Sequence, residues 1–219
     1  MTKRQLWFAA LLLLAGTALI RADVAGARLQ IYLFKPLGIV LLLLMVLGAA
    51  PRPSPRYRAL IATALCWSLF GDVLLMLPAN LFAAGLGCFL LAHLCYVAAF
   101  AAHGPGRAAA PAGIAPFAFL AGVMLAALWP VLGALRFPVA LYIGVISAMA
   151  WQAWVRWHSV RSAGALRAAI GSLFFLLSDG VLSFNRFRGP IGDRATVTIV
   201  ILSSYLMAQF LIASSVGDE

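Results

Sequence analysis

The chain is 219 residues long, 64% hydrophobic and only 10% charged, with a mean hydropathy of +1.03. A soluble domain of this length has too little interior to hide so much apolar surface, so the composition specifies an integral membrane protein. The formal charge of +10 comes from 16 basic residues scattered through short loops, with no stripe or aromatic-interleaved patch, which argues against a nucleic-acid partner.

Apolar runs long enough to cross a hydrocarbon core of about 30 Å lie near residues 5–21, 29–49, 57–77, 80–102, 112–135, 137–157, 165–186 and 195–216. The expected fold is all-α: a polytopic bundle of eight transmembrane helices, one domain over residues 1–219 without a linker. Lys3-Arg4, an apolar core and Ala25-Gly26-Ala27 imitate a signal peptide, but the segment is read as the first helix. The fifth run is the weakest. Pro116 interrupts it, Trp129-Pro130 is a candidate end, and the turn at Arg136-Phe137-Pro138 is tight. Cys66, Cys88 and Cys95 are odd in number and lie inside apolar runs, so they read as packing residues rather than a disulfide frame or zinc knuckle.

Sidedness follows from the basic residues. With a cytoplasmic N-terminus, the inside collects Lys3, Arg4, Arg52, Arg56, Arg58, Arg107, Arg156, Arg161 and Arg167, and the outside Arg21, Arg28, Arg136, Arg186, Arg188 and Arg194. Nine against six favours both termini in the cytoplasm, for a multi-pass protein of a bacterial inner (plasma) membrane.

Six residues are acidic, and Asp23, Asp193, Asp218 and Glu219 are expected in loops or at the C-terminus. Asp72 in the third run and Asp179 in the seventh are left as the carboxylates at membrane depth. Each costs roughly 2.5 to 3.5 kcal/mol there, which makes function the first reading; a protonated aspartate tying two helices together is the structural alternative. Leu69-Phe-Gly-Asp-Val-Leu-Leu75 faintly echoes Leu176-Leu-Ser-Asp-Gly-Val-Leu182, the pattern of two parallel four-helix halves.

Helix rise puts Lys35 about 9 Å into the second helix, Asp72 about 8 Å from the end of the third and Asp179 about 10 Å from the end of the seventh. All three fall in one layer, so Lys35 is expected to approach at least one aspartate, with snorkelling to the interface as its plainer role. His93 and Tyr96 share a face of the fourth helix, preceded by Gly85 and Gly87, which suit close backbone approach. Tyr205 and Gln209 share a face of the last helix; Ser178 precedes Asp179, and Asn185 and Arg186 follow it toward the surface. Taken singly these are ordinary interhelical hydrogen bonders. Together with two acids and a lysine they describe a polar pocket in an apolar bundle.

No nucleophile elbow, His-Glu-x-x-His, phosphate loop or dinucleotide fingerprint is present, and no cofactor is expected; a metal would need one histidine and both aspartates to converge. Paired carboxylates suit hydrolysis through an oxocarbenium-like transition state, one acid donating a proton while an ionised partner directs water. Lys35-Pro36, Gly71-Asp72, the stretch Gly85-Leu-Gly-Cys-Phe-Leu-Leu-Ala-His93-Leu-Cys-Tyr96, Ser178-Asp179 and Tyr205-Leu-Met-Ala-Gln209, in this order and spacing, resemble the YhhN/TMEM86 lysoplasmalogenase family over essentially the whole chain. That resemblance implies hydrolysis of the vinyl ether of a lysoplasmalogen to a fatty aldehyde and a glycerophospho-alcohol, with Asp72 and Asp179 as the catalytic pair. The expected partners are a lysophospholipid substrate and membrane lipid. The apolar flanks of Asp72 suggest it as proton donor and Asp179 as ionised partner, the reverse being nearly as good. Arg186, Arg188 and Arg194 lie just outside the layer and are candidates to hold the lipid phosphate, loop solubility being their alternative role. A proton-coupled transporter or lipid carrier would use the same buried acids, and an ester or amide lipid hydrolase is the third class.

Overall fold

A computed structural model describes residues 2–50, 53–79, 81–102 and 113–217. Arg52 and Arg107 of the sidedness count, and Asp218 and Glu219, lie outside the described residues. Eight α-helices follow in order: α1 (Lys3–Ala25), α2 (Arg28–Leu47), α3 (Pro55–Met76), α4 (Phe82–Ala102), α5 (Ala115–Leu128), α6 (Arg136–Val160), α7 (Ala163–Phe187) and α8 (Arg194–Ser214). Seven are long and apolar enough to cross a membrane.

The exception corrects the expected span over 112–135. Helix α5 has 14 residues, about 21 Å, and then tightens into 3₁₀ turns over Trp129–Val131 and Gly133–Leu135. Pro130 has no N–H to continue the ladder, and Gly133 at φ 53° turns the backbone into the left-handed region.

Helix ends must satisfy their own orphan backbone groups where water is scarce. Thr2 and Gln5 form a capping box on α1, Ser54 caps α3 with Pro55 in its first turn, and Ser162 and Asp193 cap α7 and α8. At the other end of α2, the guanidinium of Arg4 donates to the carbonyls of Leu44 (3.0 Å) and Met45 (2.9 Å), and Arg58 donates to that of Ala49 (3.0 Å). Basic side chains at this end of the bundle thus meet the negative pole of α2.

Helix α8 is the hub, touching α1, α2, α3 and α7, and the closest pairings are α3 with α4 and α7 with α8. Gln5 donates to the Ser214 carbonyl (3.0 Å), so the start of α1 and the end of α8 share one end of the bundle. The α3–α4 contact is set by glycine. A Cβ on Gly71 would lie 2.7 Å from the Phe89 ring, and one on Gly85 2.7 Å from Leu75. A Cβ on Gly87, read from sequence as a close-approach glycine, would meet no described atom of another helix within 4 Å. Large apolar side chains such as Trp7, Leu29, Phe119 and Phe137, each more than 70% exposed, point outward and need lipid rather than water around them.

Candidate functional site

Lys35 lies in the second turn of α2, one residue before Pro36, and its Nζ is 3.2 Å from Asp72 Oδ1 on α3. The lysine side chain is 16% exposed and the aspartate 2%, so the pair is sheltered from water. The other carboxylate oxygen of Asp72 accepts the hydroxyl of Tyr205 from α8 at 2.6 Å. Behind it, Gln209 Nε2 donates to the Tyr205 oxygen (3.3 Å) and Tyr96 from α4 donates to Gln209 Oε1 (2.6 Å). An amide N–H can only donate, so Tyr205 is left with its proton aimed at Asp72. The line from α4 through α8 to α3 therefore delivers a donor to the carboxylate.

Asp179 has different company. It is half-buried on α7, accepts a hydrogen bond from the Tyr142 hydroxyl of α6, and forms no salt bridge with the described residues. Its neighbour Ser178 donates to the Ile201 carbonyl (3.1 Å), locking α7 to α8 beside the acid.

Both carboxylates line one cavity of about 540 Å³, with Lys35, Tyr142, Ser178, Tyr205 and Arg186 also in its wall. Its apolar flank is formed by Leu81, Phe82, Leu86 and Phe89, and it runs outward to the exposed Arg186. A space of this size, greasy on one side with polar groups converging on the other, is the form of a small-molecule or lipid site.

The residues singled out from sequence divide into two groups. Lys35, Asp72, Ser178, Asp179, Arg186 and Tyr205 line the cavity; His93, Tyr96, Asn185 and Gln209 do not. Tyr96 and Gln209 act from behind through the hydrogen-bonded line. His93 donates from Nδ1 to the Phe89 carbonyl (2.6 Å) and packs edge-on against Tyr142 and Phe175, while its buried Nε2 has no partner among the described residues. The guanidinium of Arg186 lies over the Phe82 ring at 5.1 Å, and Arg188 Nε is bound to the Ala127 carbonyl at 2.8 Å. Arg194 donates to the Asp23 carbonyl at 3.0 Å and does not line this cavity.

Tyr142 and Asp23 are wall residues that the charge pattern does not mark. Tyr142 sits six residues after Arg136, the first residue of α6, hence about 9 Å deep, level with the charges. Asp23 was expected in a loop, but α1 runs on to Ala25 and ends on Gly26 at φ 70°, which puts Asp23 in the last helical turn and in the cavity wall. The Ala25-Gly26 pair is a helix-stop signal that fixes this end. Thr198 donates to its carboxylate at 3.0 Å. No group of three or more His, Cys, Asp or Glu placed to hold a metal ion occurs among the described residues.

The YhhN family model matches residues 30–216. The chain is 30% identical over 211 residues to the uncharacterized membrane protein YhhN of Escherichia coli O157:H7, covering 96% of this chain and 98% of that one. It is 33% identical over 181 residues to the lysoplasmalogenase of Mycobacterium tuberculosis, covering 78% of this chain and 65% of that protein. Human lysoplasmalogenase TMEM86A is 35% identical over 168 residues, covering 73% and 65%. This chain thus spans slightly under two thirds of the length of those two lysoplasmalogenases. No solved structure matches.

Proposed function

The chain belongs to the YhhN family, and from that premise we propose that it is an ether hydrolase that cleaves the vinyl ether of a lysoplasmalogen. What supports the reading is one observation: two carboxylates from distant helices line a single lipid-sized cavity, and only one of them is paired with an ammonium. The relatives called lysoplasmalogenase supply the substrate class.

The ion pair favours exchanging the roles suggested by sequence. An ammonium at 3.2 Å stabilises the charged form of Asp72. Asp72 is therefore the ionised base, and Asp179, held by a neutral phenol, is the acid. In the first half-reaction Asp179 gives its proton to the vinyl carbon distal to oxygen, leaving an oxocarbenium ion that the Asp72 carboxylate stabilises. Water adds to the cationic carbon and its proton passes to Asp72, giving a hemiacetal. In the second half, Asp72 returns that proton to the departing glycerol oxygen while Asp179 takes the hemiacetal hydroxyl proton. The C–O bond breaks, one water is consumed, both acids regain their starting states, and a fatty aldehyde and a glycerophospho-alcohol leave. Tyr205 and Tyr142 hold the two carboxylates in position.

Helices α3 and α7 run unbroken through Asp72 and Asp179, whereas transporters commonly interrupt the helix at the ion site. The test is incubation of the purified protein in detergent with a 1-alkenyl lysophospholipid in D₂O. The expected product is aldehyde carrying one deuterium on the carbon next to the carbonyl. Absence of aldehyde, or aldehyde without that deuterium, would falsify the scheme.

A further inference from the structure

We propose that a second cavity, at the junction of α1, α2 and α8, binds the phosphate of the lipid headgroup through Arg28 and Arg194. The inference rests on the proposed lysophospholipid substrate and adds where its anionic end sits. The cavity is about 420 Å³ and is lined by Arg28, Tyr32 and Arg194 together with Asp23 and Lys35. Asp23, Lys35, Leu75, Pro78 and Leu202 also line the first cavity, so the two spaces adjoin. Lys35 is common to both and holds Asp72 on the reacting side.

The charge at this mouth is unbalanced. Lys35 is matched by Asp72, which leaves two guanidiniums facing the single carboxylate of Asp23. Arg194 spends a donor on the main-chain carbonyl of Asp23, which pins its planar head at the mouth and leaves other N–H donors for a ligand. Arg28 forms no salt bridge among the described residues. A planar guanidinium fork suits phosphate oxygens, and a pair of them on an exposed rim suits a phosphoester that must stay at the membrane surface.

A lysolipid laid across both spaces puts phosphate between Arg28 and Arg194, runs its glycerol past Lys35, and brings the vinyl ether between the acids. Its chain then follows Leu81, Phe82 and Leu86. The arginines at the end of α7 fit this task less well. Arg186 stacks on Phe82 along the apolar flank, and Arg188 is bound to the end of α5.

The test measures binding to the full-length protein in detergent with two probes that cannot be hydrolysed as vinyl ethers: a 1-alkyl lysophosphoethanolamine and the matching 1-alkylglycerol. The double variant Arg28→Gln/Arg194→Gln is expected to bind the phosphate probe at least roughly tenfold more weakly and the alkylglycerol as wild type does. Arg188→Gln, at a residue that lines neither cavity, is expected to bind both normally, and inorganic phosphate is expected not to displace the lipid probe. Wild-type affinity of the double variant for the phosphate probe, equal loss on both probes, a loss carried by Arg188→Gln, or displacement by inorganic phosphate alone each overturns the assignment. Since neither probe is turned over, a failure here is separate from a failure to release aldehyde, which counts only against the proposed reaction.

Discussion

Replacing Lys35 with Met removes the only ammonium at the site while keeping an unbranched, flexible stem one atom shorter. At 3.2 Å and an effective dielectric of about 20, the attraction to Asp72 is about 5 kcal/mol before desolvation is subtracted. Leaving one member of such a sheltered pair unmatched costs about 3–5 kcal/mol if the carboxylate stays charged. Asp72 avoids that cost by taking up a proton, and it then cannot accept one from water. The variant is therefore expected to fold with a nearly unchanged melting temperature in detergent and to lose roughly 10²-fold or more in kcat, the usual contribution of a positioned base. KM for a 1-alkenyl lysophospholipid should change little, because Arg28 and Arg194 hold the phosphate in this account. Lys35→Arg keeps the charge and should recover part of the loss. The assay is aldehyde release under saturating substrate. Wild-type kcat in Lys35→Met would refute the argument that an ionised Asp72 is needed.

Tyr205→Phe removes the donor to the charged Asp72 and should lower kcat by roughly 10- to 100-fold, from about 1.5–3 kcal/mol for a hydrogen bond to a charged group, while Tyr142→Phe removes the donor to the neutral Asp179 and should lower it by roughly 2- to 10-fold, from about 0.5–1.5 kcal/mol. Initial rates on folded variants check this, and unchanged rates would remove the phenols from the account. Gly85→Ala drives a methyl into Leu75 at the α3–α4 contact and should cost about 1–3 kcal/mol of stability, whereas Gly87→Ala opens into free space and should be neutral; thermal melts of the two side by side decide. The hydrogen bonds of Thr196, from side chain and then backbone, hold the exposed Asp193 carboxyl below its usual range. A group held low stabilises the fold above its unfolded pKa and loses that effect as pH falls through its folded one. Asp193→Ala should therefore melt lower than wild type at neutral pH and converge with it in strong acid, and a gap that persists there would contradict the capping role. Because carboxylates carry every proton step, EDTA should leave turnover unchanged, and loss of activity on chelation would point to a metal-assisted ester or amide hydrolase.

Much of this arrangement could be read from the sequence because a membrane makes charge conspicuous. Lys35, Asp72 and Asp179 stand alone in apolar runs, and helix rise alone puts them at one depth, so their gathering around one cavity follows from topology. The hydrogen-bonded line through Tyr96, Gln209 and Tyr205 was half legible: the spacings gave shared faces but not which helices would meet. Tyr142 is hard to pick out because a tyrosine amid Leu, Val and Ile carries no charge to mark it, although its buried hydroxyl needs a partner just as a carboxylate does. Asp23 lies one helical turn earlier than a loop reading puts it, and that turn separates a loop acid from a wall of the site. The early end of α5 was signalled by Trp129-Pro130, but the hydropathy of the residues beyond it masked the break. Gly85 and Gly87 look equivalent in sequence; only the rotation of α4 against α3 decides which one faces a neighbour.

The central claim is that two lone acids act as one catalytic pair, and the most direct test is aldehyde release by Asp72→Asn and Asp179→Asn, each purified from membranes and shown to be folded by its melt. The account predicts that neither variant turns over 1-alkenyl lysophospholipid while both still bind the 1-alkyl analogue. Wild-type turnover by either variant would contradict it.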